Sequence, residues 1–443
     1  MKVIVIAVPG WHAGWLGCYG NEWISTPHLD CLASEGVVFD QHFANVPTSE
    51  GAIQSWKTGR YDSTAGPDLF AALSEQGIAC VGLRDVCVKD RPTVTHDWDI
   101  LIETDEEIDL CSGVDTFLEG FDPEFPALFW AETDQLLPPW IIDPELYAEY
   151  AGTLGQSRPV APQPEHPGCG ATGLLQPWPD PPIGPVGKEI ALWERSRHSY
   201  AAAVTAFDEQ IGVISESIKA HLSGDSVLLI VTAGWGFPLG EHGFVGPGLP
   251  QLHEESVHIP LILRFPGAAH AGRRISAFSL NIDLLPTIFD AFSLQVPSQV
   301  QGRSLLPLVN RTATALRPYA VCQLGSSGLL RTAEWACLRW QNGEFGPAAQ
   351  LFRKPNDRWE VNDLRQHYLP WAEYLEQTLK TLETLTQSAE SLEFPPLRDY
   401  TDIVNPVTSP EEPTDEHRST RGREHDQSQG EGGLRGHQGD QED

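Results

Sequence analysis

Residues 3–23 read VIVIAVPGWHAGWLGCYGNEW, and the order of residue types in this stretch decides the fold. Val3–Val8 is short, apolar on both faces and rich in Val and Ile, which predicts a fully buried strand of a parallel sheet. The run stops at Pro9-Gly10 and passes into a Gly-rich turn that ends at Gly20. A buried strand that ends in a glycine turn is where α/β enzymes place their chemistry. Between Val3 and Gly20, however, only His12 titrates near neutral pH. The stretch has the form of an active-site floor and lacks the acids.

The same alternation continues outward. Thr26 is placed to cap a helix with Pro27 at its first position, Leu29, Leu32 and Ala33 facing inward, and Gly36 at its end. Val37–Phe39, Ile78–Leu83, Pro126–Trp130, Val227–Val231 and Ile259–Phe265 read as strands, and Pro67–Gln76 as a helix. From Tyr200 the apolar residues 200, 204, 207, 211, 214 and 218 keep helical spacing. Strands alternating with helices predict a mostly parallel sheet flanked by helices. The stretch 158–187 is dense in Pro and Gly and reads as a long surface loop inside this domain. After Leu308 the pattern changes. Tyr319–Leu324, Trp335–Trp340 and Leu351–Arg353 read as short strands of a small antiparallel unit, followed by a helix near 369–385. The expected organisation is an α/β domain over 1–310, a small C-terminal antiparallel α+β subdomain over 311–395, and a disordered acidic tail over 396–443.

Composition sets further bounds. The 443 residues carry a net charge of −32, which makes nucleic acid and anionic membranes poor partners. No signal-peptide core and no membrane-length apolar run is present, so the cytoplasm is the expected compartment. None of the eight cysteines forms C-x-x-C, which speaks against a zinc site. Gly10, Gly14 and Gly17 do not make a dinucleotide motif.

The stretch from Trp15 to Tyr61, containing LGCYG, TPHLD, LASEGVVF and TGRY, resembles the opening of the sulfatase family within the alkaline-phosphatase-like superfamily. The resemblance continues in GFPLGEHGF (236–244), LHEESVHIPLILRFPG (252–267), NIDLLPTIFDAFSLQVPSQVQGRSLLPL (281–308) and LFRKPNDRWEVNDLRQH (351–367). It covers roughly residues 2–385 and implies the family's fold. For an active member it also implies a calcium ion on carboxylates, an aldehyde nucleophile made in a C/S-x-P-x-R loop, and Lys and His side chains that balance sulfate charge.

Carried onto this chain residue by residue, those functions fail. The two acids that end the first strand fall on Pro9 and Gly10, and the second ligand pair falls on Gly234 and Trp235. A hard divalent cation needs charged oxygen ligands, and none of the four has a side-chain oxygen. The nucleophile position is Ser49, but the required Pro and Arg are Gly51 and Ile53. Ser49 then reads as a helix N-cap with Glu50 beside it. The two His positions fall on Ala131 and Leu136, and the Lys position falls near Leu249. The residual polar candidates are Glu241 and His242, read as a turn-stabilising pair, and His253, Glu254 and Glu255, which could bind a metal but read better as structural. Asp208 reads as a surface or capping acid. Trp11, Trp15, Trp56 and Trp235 form either an aromatic ligand surface or a plugged core, and the plug is the better reading.

The sequence therefore predicts a sulfatase-like pseudoenzyme without cofactor or metal, acting in binding or scaffolding on an unidentified protein or small molecule. Two alternatives remain open. One is an active sulfatase- or phosphatase-type hydrolase with a rearranged site, using Ser49, Glu50, His242 or His253. The other is a Trp-lined carbohydrate or small-molecule binder.

Overall fold

The computed structural model describes residues 1–404 apart from 62–66, 87–90, 105–107, 121, 123–124, 154–183, 186–189, 223–226, 248–250, 341–347 and 389–391. The expected loop at 158–187 lies outside the described residues except for Gly184–Pro185.

Lys2–Val8 is the central strand that its composition predicts. It pairs in parallel with Ala127–Thr133 on one side and Val227–Ala233 on the other. With both flanks paired, all seven of its residues are buried, as a near-continuous apolar run requires. The sheet has eight strands. From one edge to the other they are Arg273–Ile275, Val37–Phe39, Leu261–Arg264, Val227–Ala233, Lys2–Val8, Ala127–Thr133, Ala79–Asp85 and Ile100–Glu103. Leu261–Arg264 runs against both neighbours, and every other pairing is parallel. The edge strand Ile100–Glu103 is absent from the sequence reading: its three apolar residues Ile100–Ile102 are set between Asp99 and Glu103, and the strand is mostly exposed.

The long helix Ile190–Leu222 is the hub of one helical layer. Pro27–Glu35, Leu110–Gly120 and Pro144–Thr153 all pack on it. Thr26 does not cap the first of these helices: its hydroxyl accepts from Gly17 N instead (2.9 Å). The cap comes from the long helix, where Asp208 accepts from the amides of His28 (3.1 Å) and Leu29 (2.7 Å). Asp208 is thus a capping acid supplied in trans, satisfying helix-terminal N–H groups that have no partner within the helix.

The C-terminal unit is a four-stranded antiparallel sheet in chain order. Its strands are Ala320–Leu324, Ser327–Arg331, Trp335–Arg339 and Ala349–Arg353, and the helix Leu369–Ser388 covers it. Ser327–Arg331 is the strand the sequence reading missed. The Gly325-Ser326 pair is the turn that announces it, with Gly325 left-handed at φ +58°. An apolar cluster ties this unit to the main domain, joining Phe43, Leu252, Val257 and Leu280 to Ala320, Leu329 and Phe352. The expected tail needs a correction at its start. Residues 392–404 are described, and the helix Tyr400–Val404 packs on Leu369–Ser388. Tyr400 supplies the apolar contact that the composition concealed, its ring meeting Trp335 and Trp371. Residues 405–443 lie outside the described residues.

Candidate functional site

The parallel strands Lys2–Val8, Ala79–Asp85, Ala127–Thr133 and Val227–Ala233 end along one edge of the sheet. Open α/β sheets bind ligands in the crevice outside such carboxyl ends. The crevice here is a cavity of about 20 Å³, lined by Pro9, Ser49, Val86, Arg91, Pro92, Thr93, Glu132, Thr133, Asp134 and Leu137. That is room for about one water molecule.

Apolar side chains fill the rest of the floor. A Cβ added at Gly234 would lie 2.9 Å from Ala52 Cβ and 3.1 Å from Trp56 Cη2. A Cβ at Gly10 would clash with Leu137 Cδ2, and Gly10 is left-handed at φ +77°. The backbone at both positions is engaged: Tyr200 Oη donates to Gly10 O (2.7 Å), and Asn281 Nδ2 to Gly234 O (2.7 Å). Trp235 is buried against Phe237, and Ile53, Ala131 and Leu136 are buried core residues. Leu249 lies outside the described residues. Trp11, Trp15, Trp56 and Trp235 are exposed by 0%, 5%, 2% and 6%. They form a plug, with edge contacts such as Trp11 on Phe207 and Trp56 on Trp130, and they present no open aromatic face.

The calcium that the resemblance implies therefore does not fit these residues. Pro9, Gly10, Gly234 and Trp235 offer no side-chain oxygen, and the space an acid would need at 234 is taken by Ala52 and Trp56.

Ser49 does line the crevice, but it is not the helix cap. The helix is Ser49–Thr58, and Thr48 caps it by accepting from Gly51 N (2.9 Å). The charged groups around Ser49 are already engaged. Arg91 Nη1 pairs with Asp134 Oδ2 at 2.9 Å. Glu132 accepts from Val94 N (2.8 Å) and Trp130 Nε1 (3.2 Å), and burial pushes its carboxyl up to about 7. Neither His242 nor His253 lines this cavity.

Those two histidines belong to a second, polar cluster at the junction with the C-terminal unit. Glu241 stabilises its turn as expected, accepting from Leu239 N. His242 does something else: its ring stacks on His253, with centroids 3.6 Å apart and planes 11° from parallel. His253 Nδ1 shares a hydrogen bond with Glu360 Oε2 (2.8 Å). Lys354 pairs with Glu254 and, at 3.1 Å, with Glu360 Oε1. His258 Nδ1 meets Glu254 Oε1 at 3.0 Å, and Arg331 lies 4.0 Å from Glu254 Oε2.

The electrostatics of the cluster follow from these contacts. Burial alone would raise Glu254, but the His258 hydrogen bond and the nearby Lys354 and Arg331 hold it well below the usual carboxylate range. Burial and the neighbouring acids Glu241 and Glu360 push Glu255 well above that range. Burial and His253 hold His242 down to about 4. Glu360 and Lys354 were invisible to local sequence reasoning; the only signal was their place in the LFRKPNDRWEVNDL segment.

A mostly parallel eight-stranded sheet with a crevice at its carboxyl edge and a small antiparallel unit docked beside it is the alkaline-phosphatase-like architecture. The family model for the C-terminal part of N-sulphoglucosamine sulphohydrolase matches residues 240–319. The N-acetylglucosamine-6-O-sulfatase of Bacteroides thetaiotaomicron is 37% identical over 125 residues, 28% of this chain and 22% of the relative. That stretch is well short of two thirds of the relative's length. The arylsulfatase of Clostridium perfringens is 22% identical over 390 residues, 72% of this chain and 80% of its own. Among solved structures, a protein in complex with its substrate D-glucosamine-2-N,6-O-disulfate superposes with a TM-score of 0.69 at 19% identity, over 87% of this chain and 98% of that one. The phosphonate monoester hydrolase of Agrobacterium radiobacter gives 0.66 at 17% identity, over 87% and 96%. The chain is a member of the sulfatase/alkaline-phosphatase-like superfamily. No helix among the described residues is long and apolar enough to cross a membrane.

Proposed function

We propose that this chain is a sulfatase-fold pseudoenzyme that does not hydrolyse sulfuric esters and acts by binding or scaffolding. The observation that carries this reading is the filled floor of the crevice. Ala52 and Trp56 stand against Gly234, and Leu137 against Gly10. Transfer of a sulfuryl group needs fixed positive charge where negative charge develops. Here Arg91 is paired with Asp134, and the calcium position has no ligands. The cavity beside Ser49 is small, about 20 Å³. The partner in this reading is an unidentified protein or small molecule, in the cytoplasm.

One observation favours the rival hydrolase. Glu132 lines the same cavity as Ser49 and titrates near neutrality, as a general base would. An assay with aryl sulfate and aryl phosphate in excess calcium separates the two readings. The pseudoenzyme gives no turnover above that of Ser49→Ala. Turnover that vanishes in Ser49→Ala and in Glu132→Gln would establish the hydrolase.

A further inference from the structure

We propose that His242, His253 and Glu360 bind one divalent transition-metal ion of the zinc class, which clasps the small C-terminal unit to the main domain. The three residues come from three separate loops. His242 sits in the turn Glu241–Gly243, His253 immediately precedes the helix Glu254–Val257, and Glu360 follows the last strand of the small sheet, Ala349–Arg353. One nitrogen from each imidazole and one oxygen of Glu360 all lie within 4.8 Å of one another. Two imidazoles and a carboxylate suit a borderline-soft ion such as zinc, and not calcium, which takes oxygen ligands.

The second observation is Glu255. It is 4% exposed, and its Oε1 has no hydrogen-bond partner. Its Oε2 lies 3.7 Å from His242 Nε2, beyond hydrogen-bond reach. The basic groups of the cluster are engaged elsewhere, Lys354 by Glu254 and Glu360, and Arg331 by Glu254. A buried carboxylate left in this state calls for a partner. A dication on the adjacent imidazole would let Glu255 ionise and act as the carboxylate that orients a metal-bound histidine. Ligation needs one movement. The stacked rings aim their lone pairs side by side, so one ring must turn. His242, with 18% of its side chain exposed against 6% for His253, is the one free to do so. The same exposure gives the ion its access path.

The test is a calorimetric titration of the chelator-treated full chain with zinc chloride, with calcium chloride as control and the visible absorption of the cobalt(II) form as a report of nitrogen ligation. The expected result is one zinc per chain and no calcium at this site. Zinc should raise the thermal midpoint of the wild type but not that of His242→Ala. Affinity should fall about 10- to 100-fold in the isosteric Glu255→Gln, which keeps the site measurable if His242→Ala proves unstable. A folded chain that takes up no zinc overturns the proposal, as does zinc uptake unchanged in both variants.

Discussion

Two regions of this molecule reach the same degree of burial by opposite means. At the carboxyl edge of the large sheet, Pro9, Gly10, Gly234 and Trp235 occupy the four positions where the resemblance places oxygen ligands, and Leu137, Ala52 and Trp56 press against the two glycines. At the junction with the small sheet, Glu255, Glu360, Lys354, Arg331 and His253 are buried together, with Glu254 half-buried beside them. The floor of the crevice is packed with apolar side chains, and its charged lining is confined to Arg91, Glu132 and Asp134. The junction has kept charge and satisfies it by pairing, with Glu255 as the exception. The fold thus buries a dense set of ion pairs where its two units meet, and mainly apolar side chains at the two glycines of the crevice floor.

The largest expected effect belongs to the junction. Lys354→Met removes the buried ammonium shared by Glu254 and Glu360 and leaves the buried Glu360 and the half-buried Glu254 short of a partner. Breaking a buried pair in this way costs about 3–5 kcal/mol. Urea unfolding should show that loss, and a change below about 1 kcal/mol would mean that the pairing is not what holds the units together.

Next comes Glu132→Gln, which removes the one strongly displaced acid of the crevice. Burial raises the carboxyl to about 7 from its ordinary value of 4.5, so ionisation opposes folding. Below about pH 4.5 both states are protonated and nothing is lost. Between 4.5 and 7 the unfolded chain ionises first, and stability falls as pH rises. The amide of Gln keeps an acceptor for Val94 N–H. The variant should therefore match the wild type at pH 4 and exceed it by up to about 3 kcal/mol at pH 8. Equal stabilities at pH 8 would show that Glu132 is solvated.

Gly234→Ala tests the plug with a single carbon. Its Cβ has 2.9 Å to Ala52 Cβ and 3.1 Å to Trp56 Cη2, and overpacking of this kind costs about 1–3 kcal/mol. A neutral result would mean that the crevice floor can open. The smallest contrast separates neighbours on one helix. Thr48→Ala should lose about 1 kcal/mol with the cap, and Ser49→Ala should stay within about 0.5 kcal/mol, both read from thermal unfolding.

Much of the crevice was legible in the sequence because it lies on strands. Val3–Val8 and Val227–Val231 announce themselves by composition, and the family resemblance, counted back from Gly17–Gly20 and from Gly240–Gly243, places Pro9, Gly10, Gly234 and Trp235 on the floor. What filled the floor was not legible, since Ala52, Trp56 and Leu137 arrive from other elements. Thr48 and Ser49 are both good caps, and only backbone geometry chooses Thr48. At the junction, His253 and Glu254 were visible as a local cluster, but the residue that meets both is Glu360, 107 positions beyond His253. The edge strand Ile100–Glu103 was missed because its apolar run, Ile100–Ile102 between Asp99 and Glu103, is shorter than the roughly four to eight residues that mark a strand.

In the proposed reading the floor of the crevice is filled and holds no ion. Calcium titration by calorimetry on the chelator-treated full chain tests it most directly. The account predicts no stoichiometric calcium uptake. Tight uptake of one calcium per chain, weakened by substitutions around Pro9 and Gly234, would contradict it and return the molecule to the ester hydrolases.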